Sequence, residues 1–201
     1  MALVTANRLT LQATAAALAG VAVVQAIAAL RTRHAQSNAI GSCVCTVAFL
    51  HYLWMRGASQ TERLELRHSD WAFTCPLLLL ELYLVTDQRT NGSLAVSAAS
   101  ALAMIALGFR AARATGAARH TLFGLGCVAF GVCAYVATHR MPRRHAPLAA
   151  AFFGLWALYP VAFLLRSNAM FDVLDVASKA GIGLYVAHRG FAAGSTALPF
   201  E

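Results

Sequence analysis

Phe171-Asp172-Val173-Leu174-Asp175-Val176-Ala177-Ser178-Lys179-Ala180-Gly181-Ile182-Gly183-Leu184-Tyr185-Val186-Ala187 is an apolar stretch broken by two acids and one base. Its length suits a helix that crosses a bilayer, yet an ionisable side chain in hydrocarbon is costly unless it is paired or lines a wet cavity. Lys179 is also the only lysine among sixteen basic residues, the other fifteen being arginines. Two chemistries fit a lysine in that position. It forms an ion pair with Asp175 one turn earlier, or it is a desolvated amine able to form a Schiff base with an aldehyde cofactor. Neither is a solvated surface lysine.

The rest of the chain has the same solvent. Residues 9–30, 35–55, 90–109, 121–138 and 146–165 each run without Asp, Glu, Lys or Arg, and each is long enough for a spanning helix of about 20 residues. Residues 71–86 reach that length by tolerating Glu81. The expected fold is an all-α membrane protein, a single seven-helix transmembrane domain over 1–201. Its helices are predicted at about 9–31, 36–56, 67–86, 91–113, 118–139, 145–166 and 169–189. A hydrophobic share of 59% exceeds the roughly 45–50% of soluble domains, and only 12% of residues are charged. A soluble enzyme, a disordered tail and a nucleic-acid binder are excluded, since the net charge of +8 lies mostly in loops.

The first span is too long for a signal-peptide core and reads as a retained helix. Cys43, Cys45, Cys75, Cys127 and Cys133 all fall inside spans, where packing rather than disulfide or metal chemistry is expected. Loop arginines divide almost evenly between the two sides, so charge alone leaves the topology open; the cluster from Arg140 to His145 favours a cytoplasmic C-terminus.

Arg67-His68-Ser69-Asp70-Trp71-Ala72-Phe73-Thr74-Cys75-Pro76-Leu77-Leu78-Leu79-Leu80-Glu81 carries the second set of intramembrane acids. At about 100° per residue Asp70, Thr74 and Glu81 fall within about 40° of one another, with the carboxylates roughly 16 Å apart along the axis. One helix face therefore presents two acids in series, as a vectorial proton relay requires. Arg67, one turn before Asp70, is expected to act as the positive charge beside that carboxylate.

These two stretches resemble helices three and seven of the microbial (type 1) rhodopsins, through Asp70-Trp71, Thr74, Pro76 and the Asp175-Val176-Ala177-Ser178-Lys179 run. Trp156-Ala157-Leu158-Tyr159-Pro160 is similar to the family's Trp-x-x-Tyr-Pro on helix six. Ala48-Phe49-Leu50-His51-Tyr52-Leu53-Trp54-Met55-Arg56-Gly57 resembles helix two of proteorhodopsins, whose histidine pairs with the counterion. The resemblance implies a light-driven outward proton pump, not an enzyme, with all-trans retinal joined to Lys179 as a Schiff base. It makes Asp70 and Asp175 the counterions, Asp70 the proton acceptor and Glu81 the cytoplasmic donor, with Arg67, His51 and Thr74 assisting. The retinal pocket is expected from Trp71, Thr74, Cys75, Leu78, Met104, Gly108, Phe130, Trp156, Tyr159 and Pro160. Leu78 implies green absorption, and Phe123 resembles the residue that closes the pocket wall to a carotenoid.

The expected location is a bacterial inner membrane, with the N-terminus extracellular and the C-terminus cytoplasmic. The expected partners are membrane lipid and further copies in a homo-oligomer, a trimer or pentamer, with no nucleic acid and no soluble partner required. The steps from Phe123 to Trp156 and from Tyr159 to Lys179 are short for the family, so two connections must be tight; in this the chain is similar to the short-loop mirror proteorhodopsins. Ser167 and Asn168 stand where archaeal pumps carry a glutamate pair. Asp172 is additional, and either pairs with Arg166 or Arg119 or joins an outward proton path. An open outer vestibule would expose His51 and His68 to inhibitory zinc, with no metal as cofactor. Competing functions are an inward pump, a photosensor and a light-gated channel. A sensor has no use for Glu81, and a channel is expected to carry acids on helix two, where Cys43, Thr46, Val47 and Leu50 are uncharged.

Overall fold

A computed structural model describes residues 2–32, 34–89 and 92–194. Arg33 of the first loop and residue 91, the expected start of the fourth span, lie outside these residues, as does the chain from 195 onward. Helices α1 (Ala2–Arg31), α2 (Ala35–Met55), α3 (Gln60–Val85), α4 (Gly92–Arg113), α5 (Gly116–Thr138) and α6 (Ala146–Leu165) form the first six spans. The seventh is composite: α7 (Asn168–Asp175), a π-helical turn Val176–Ala180 and α8 (Gly181–Gly194). There is no strand among the described residues.

Neighbours in sequence are neighbours in space. α1 packs along α2, α2 along α3, α3 along α4 and α4 along α5, and the seventh span returns against α1 and α2. Five helices are long and apolar enough to cross a membrane. The remaining two spans, α3 and the seventh, are the ones that carry the intramembrane acids and the lysine.

Of the two connections expected to be tight, the one from α6 to α7 passes through Arg166 and Ser167 alone, whereas α5 reaches α6 through residues 139–145, with a 3₁₀ turn at Arg143–His145. α4 passes to α5 through Ala114 and Thr115. Arg166 ends α6 in the left-handed region at φ 52°, and the Ser167 hydroxyl caps α7 by accepting from Met170 N at 3.2 Å. α3 begins seven residues before its expected start. Ser59 and Glu62 close a capping box there, each side chain bonded to the other's backbone N–H. The expected boundary was that of the apolar span, whereas the charged turn before it is a helix in water.

Polarity is arranged inside out. Leu30, Trp54, Phe73, Val128, Leu165 and Val173 face outward, while Gln25, Asn38, Asp70, Glu81, Asp175 and Lys179 are buried. Lipid is as apolar as leucine, so the helices gain little from hiding leucines and associate through close packing and buried polar bonds. Ala15, Ala22, Cys45, Ala48 and Ala180 accordingly line the contact between α1, α2 and the seventh span. All five cysteines are free; Cys45, Cys75 and Cys133 pack inside, whereas Cys43 faces out, against the packing role expected of it.

Candidate functional site

Lys179 lies in the π-helical turn of the seventh span, a local widening that recurs at functional positions. Its ammonium donates to Asp70 Oδ2 on α3 and stands 3.6 Å from Asp175 Oδ1, one turn before it on its own span. All three side chains are buried. The two readings of Lys179 are therefore compatible: it is ion-paired, with two acids rather than one.

The two acids are held differently. Asp175 Oδ1 accepts from Trp71 Nε1 at 2.9 Å and Tyr159 Oη at 2.8 Å, and its Oδ2 accepts from Tyr52 Oη at 2.7 Å. Asp70 takes its bond from Lys179, and its Oδ1 is buried without a partner among the described residues. A proton arriving at Asp175 would displace an existing donor, whereas Asp70 has an unused oxygen. Thr74, on the same face, donates to the main-chain oxygen of Asp70 at 2.8 Å and so shapes the helix rather than bonding the carboxylate.

A cavity of about 690 Å³ opens beside Lys179. It is lined by Trp71, Cys75, Leu78, Met104, Gly108, Phe130, Trp156, Tyr159 and Pro160, nine of the ten residues expected there besides the lysine. Thr74 is the exception, being turned into the α3 backbone bond. The volume falls within the roughly 300–1,000 Å³ of small-molecule sites. Trp71 and Tyr159 meet edge to face at 5.2 Å, and Phe123 closes part of the wall by stacking on Phe163 at 5.0 Å. A largely apolar cavity, a buried primary amine on its wall and two fixed anions beside the amine fit a retinal bound through Lys179 and carrying positive charge there.

Arg67 does not pair with Asp70. Its guanidinium donates to Asp172 Oδ1 at 2.5 Å and to Asn168 Oδ1 at 3.2 Å, and it packs over the Phe171 ring. Asp172 is therefore bound neither to Arg166 nor to Arg119. It also accepts from Tyr52 Oη at 3.2 Å, so Tyr52 joins Asp172 to Asp175. Within one helix Arg67 is a turn from Asp70, but its side chain crosses to the seventh span, where Asp172 would otherwise be a buried unpaired charge. Asp172→Asn is expected to lower stability by about 3 kcal/mol or more, because it strands the Arg67 guanidinium. Denaturation of the pigment, followed by loss of its visible band, measures this.

His51 and His68 do not share a site. His51 Nδ1 bonds Val47 O at 2.9 Å and its ring meets Trp54, so its bond is to its own helix and not to Asp70. His68 Nδ1 bonds Leu64 O at 2.8 Å, and its ring sits between Trp71 and Phe109. Among the described residues no three His, Cys, Asp or Glu side chains converge as a metal site, so zinc at these histidines would find no prepared ligand cage.

Glu81 is fully buried and accepts from Gln25 Nε2 of α1 at 3.3 Å. Sequence reasoning missed Gln25, Tyr52 and the role of Asn168. The available signals were an amide in the middle of an aliphatic run for Gln25, and adjacency to His51 for Tyr52.

Similarity to known proteins points the same way. The model of the family described as bacteriorhodopsin-like protein matches residues 5–191. The green-light absorbing proteorhodopsin of Gamma-proteobacterium EBAC31A08 is 26% identical over 75% of this chain and 72% of its own length. The bacteriorhodopsin of Halobacterium salinarum is 30% identical over 73% of this chain and 68% of its own. The crystal structure of the viral rhodopsin OLPVRII superposes with a TM-score of 0.82 at 25% identity, covering 92% of this chain and 97% of that one. A buried lysine between two aspartates, a cavity at its side and a family match over nearly the whole chain lead to one conclusion: this multi-pass membrane protein belongs to the bacteriorhodopsin-like family and is a retinal-binding microbial rhodopsin.

Proposed function

We propose that the protein is a light-driven outward proton pump of a bacterial inner membrane, with all-trans retinal as its chromophore and its N-terminus outside. Retinal supplies, when bound, the absorption of visible light and an isomerisation that re-aims the Lys179 N–H. The chain supplies the rest. Asp70 and Asp175 hold the positive charge at Lys179 Nζ, and the packing around them keeps it from water. Asp70 Oδ1, the oxygen without a partner among the described residues, receives the proton from Nζ. Asp175, tied by Trp71, Tyr159 and Tyr52, stays as a fixed anion.

Glu81 lies three turns further along α3 and returns a proton to Nζ from the other side. The observation that carries the reading is this pair of buried acids on one helix, one bonded to Lys179 and one remote from it. With the N-terminus outside, α3 starts at the outer face, so transfer from Glu81 through Nζ to Asp70 runs outward. Tyr52, Asp172 and Arg67 continue the polar chain toward that face. Similarity to a proteorhodopsin and to bacteriorhodopsins supports this reading.

Light-induced pH change in a suspension of expressing cells, with and without an uncoupler, tests the direction. Uncoupler-sensitive external acidification is the expected result; alkalinisation means an inward pump, and no change means a sensor. Glu81→Gln is expected to keep the colour and to slow late reprotonation by roughly 10²-fold, since a positioned proton donor contributes ~10²–10⁴. Azide or another small acid should partly restore it. An unchanged decay in flash spectroscopy would remove Glu81 from the donor role.

A further inference from the structure

α1 crosses the membrane without a charged residue between Leu9 and Leu30, and the two amides within that stretch differ: Gln12 is exposed and Gln25 is completely buried. Gln25 Nε2 donates to Glu81 Oε1 at 3.3 Å. The two atoms left over, Gln25 Oε1 and Glu81 Oε2, are buried and without partners among the described residues. An ionised carboxylate can only accept, so with Glu81 charged both oxygens remain unsatisfied. A neutral carboxyl carries one O–H. Placed on Oε2, it can donate to Gln25 Oε1 while Oε1 of Glu81 continues to accept from Nε2, and the amide and acid then satisfy each other in a closed pair.

The surrounding helices leave room for that amide and for little else. A Cβ at Gly183 of the seventh span would lie 2.6 Å from Cδ, Nε2 and Oε1 of Gln25. A Cβ at Gly41 of α2 would overlap Gln25 Nε2 and lie 2.6 Å from Glu81 Oε1. Glycine at both positions is what admits Gln25 between α2, α3 and the seventh span.

We propose that Gln25 is a positioning residue that holds Glu81 as a neutral, hydrogen-bonded acid, keeping the proton in place until Lys179 Nζ requires it. This rests on Glu81 being the donor. The amide is suited to the task because it offers one donor and one acceptor and itself carries no transferable charge.

Infrared difference spectroscopy tests the pair without relying on transport. The carboxyl C=O band that disappears in Glu81→Gln belongs to Glu81. In Gln25→Leu that band is expected to move to higher frequency, as the carbonyl loses its hydrogen bond, and late reprotonation should change about tenfold, the scale of one buried hydrogen bond. The visible band, set around Lys179, should stay. Gly183→Ala, which leaves the amide in the chain but presses on it, should move the same infrared band and serves if Gln25→Leu does not fold. A Glu81 band unmoved in these variants, or a dark state with no Glu81-dependent carboxyl band, overturns the proposal. If the band moves but Glu81→Gln leaves reprotonation unchanged, the pairing stands and the donor reading fails.

Discussion

Lys179→Ala and Lys179→Arg are both expected to yield a protein without a visible absorption band after incubation with retinal, where the unaltered chain is coloured. A visible pigment requires a covalent link to a primary amine, and Lys179 is the only lysine in the chain. Alanine alone would be an ambiguous test. It removes the cation between Asp70 and Asp175, and two buried carboxylates facing each other without it destabilise the bundle. Arginine keeps the positive charge, but a guanidinium stays protonated and does not act as a nucleophilic amine. If the arginine variant folds and is colourless, the loss is chemical. A pigment surviving in either variant and covalently attached would overturn the central assignment. The readout is an absorption spectrum before and after denaturation in acid, which distinguishes attached from dissolved retinal.

Asp70→Asn is expected to abolish pumping, reducing the light-induced pH change to that of the uncoupled control, and to shift the visible band to the red. The shift follows because a carboxylate stabilises the positive charge at Lys179 Nζ before excitation, and asparagine withdraws that stabilisation. Transport stops because Asp70 Oδ1 is the oxygen left free to take the proton. Asp175→Asn is expected to behave differently. Trp71 Nε1, Tyr159 Oη and Tyr52 Oη all donate to that carboxylate, and an amide group placed among them would turn a donor toward donors. Its main effect should be loss of folded pigment. Persistent acidification by Asp70→Asn would mean that the acceptor lies elsewhere, with Asp175 the first alternative.

The arrangement also explains the division of labour along the chain. α3 and the seventh span carry almost all of the chemistry, and they are the spans whose ionisable residues set them apart from the five plainly apolar helices. Among the described residues each of their buried charges has a neighbour of opposite sign, save Glu81, which has an amide. A charge buried without such a neighbour would be too costly in hydrocarbon, so the exception is informative about the state in which Glu81 is held.

The amino-acid sequence by itself determined the spans, the lysine and the common face of Asp70, Thr74 and Glu81. Those features depend on run length and on the 3.6-residue period within single helices, which are local quantities. The family resemblance added the cavity wall, and nine of those ten residues line it. Only the tertiary structure decided which groups meet across helices. Arg67 turned from Asp70, three positions away, to Asp172, 105 positions on; Gln25 met Glu81 over 56 positions; Tyr52 reached Asp175 over 123. Such pairs depend on the depth and rotation of each helix against its neighbours. Those are set by small residues such as Gly41 and Gly183, whose effect is to let another helix's side chain in, and periodicity within one helix carries no record of it.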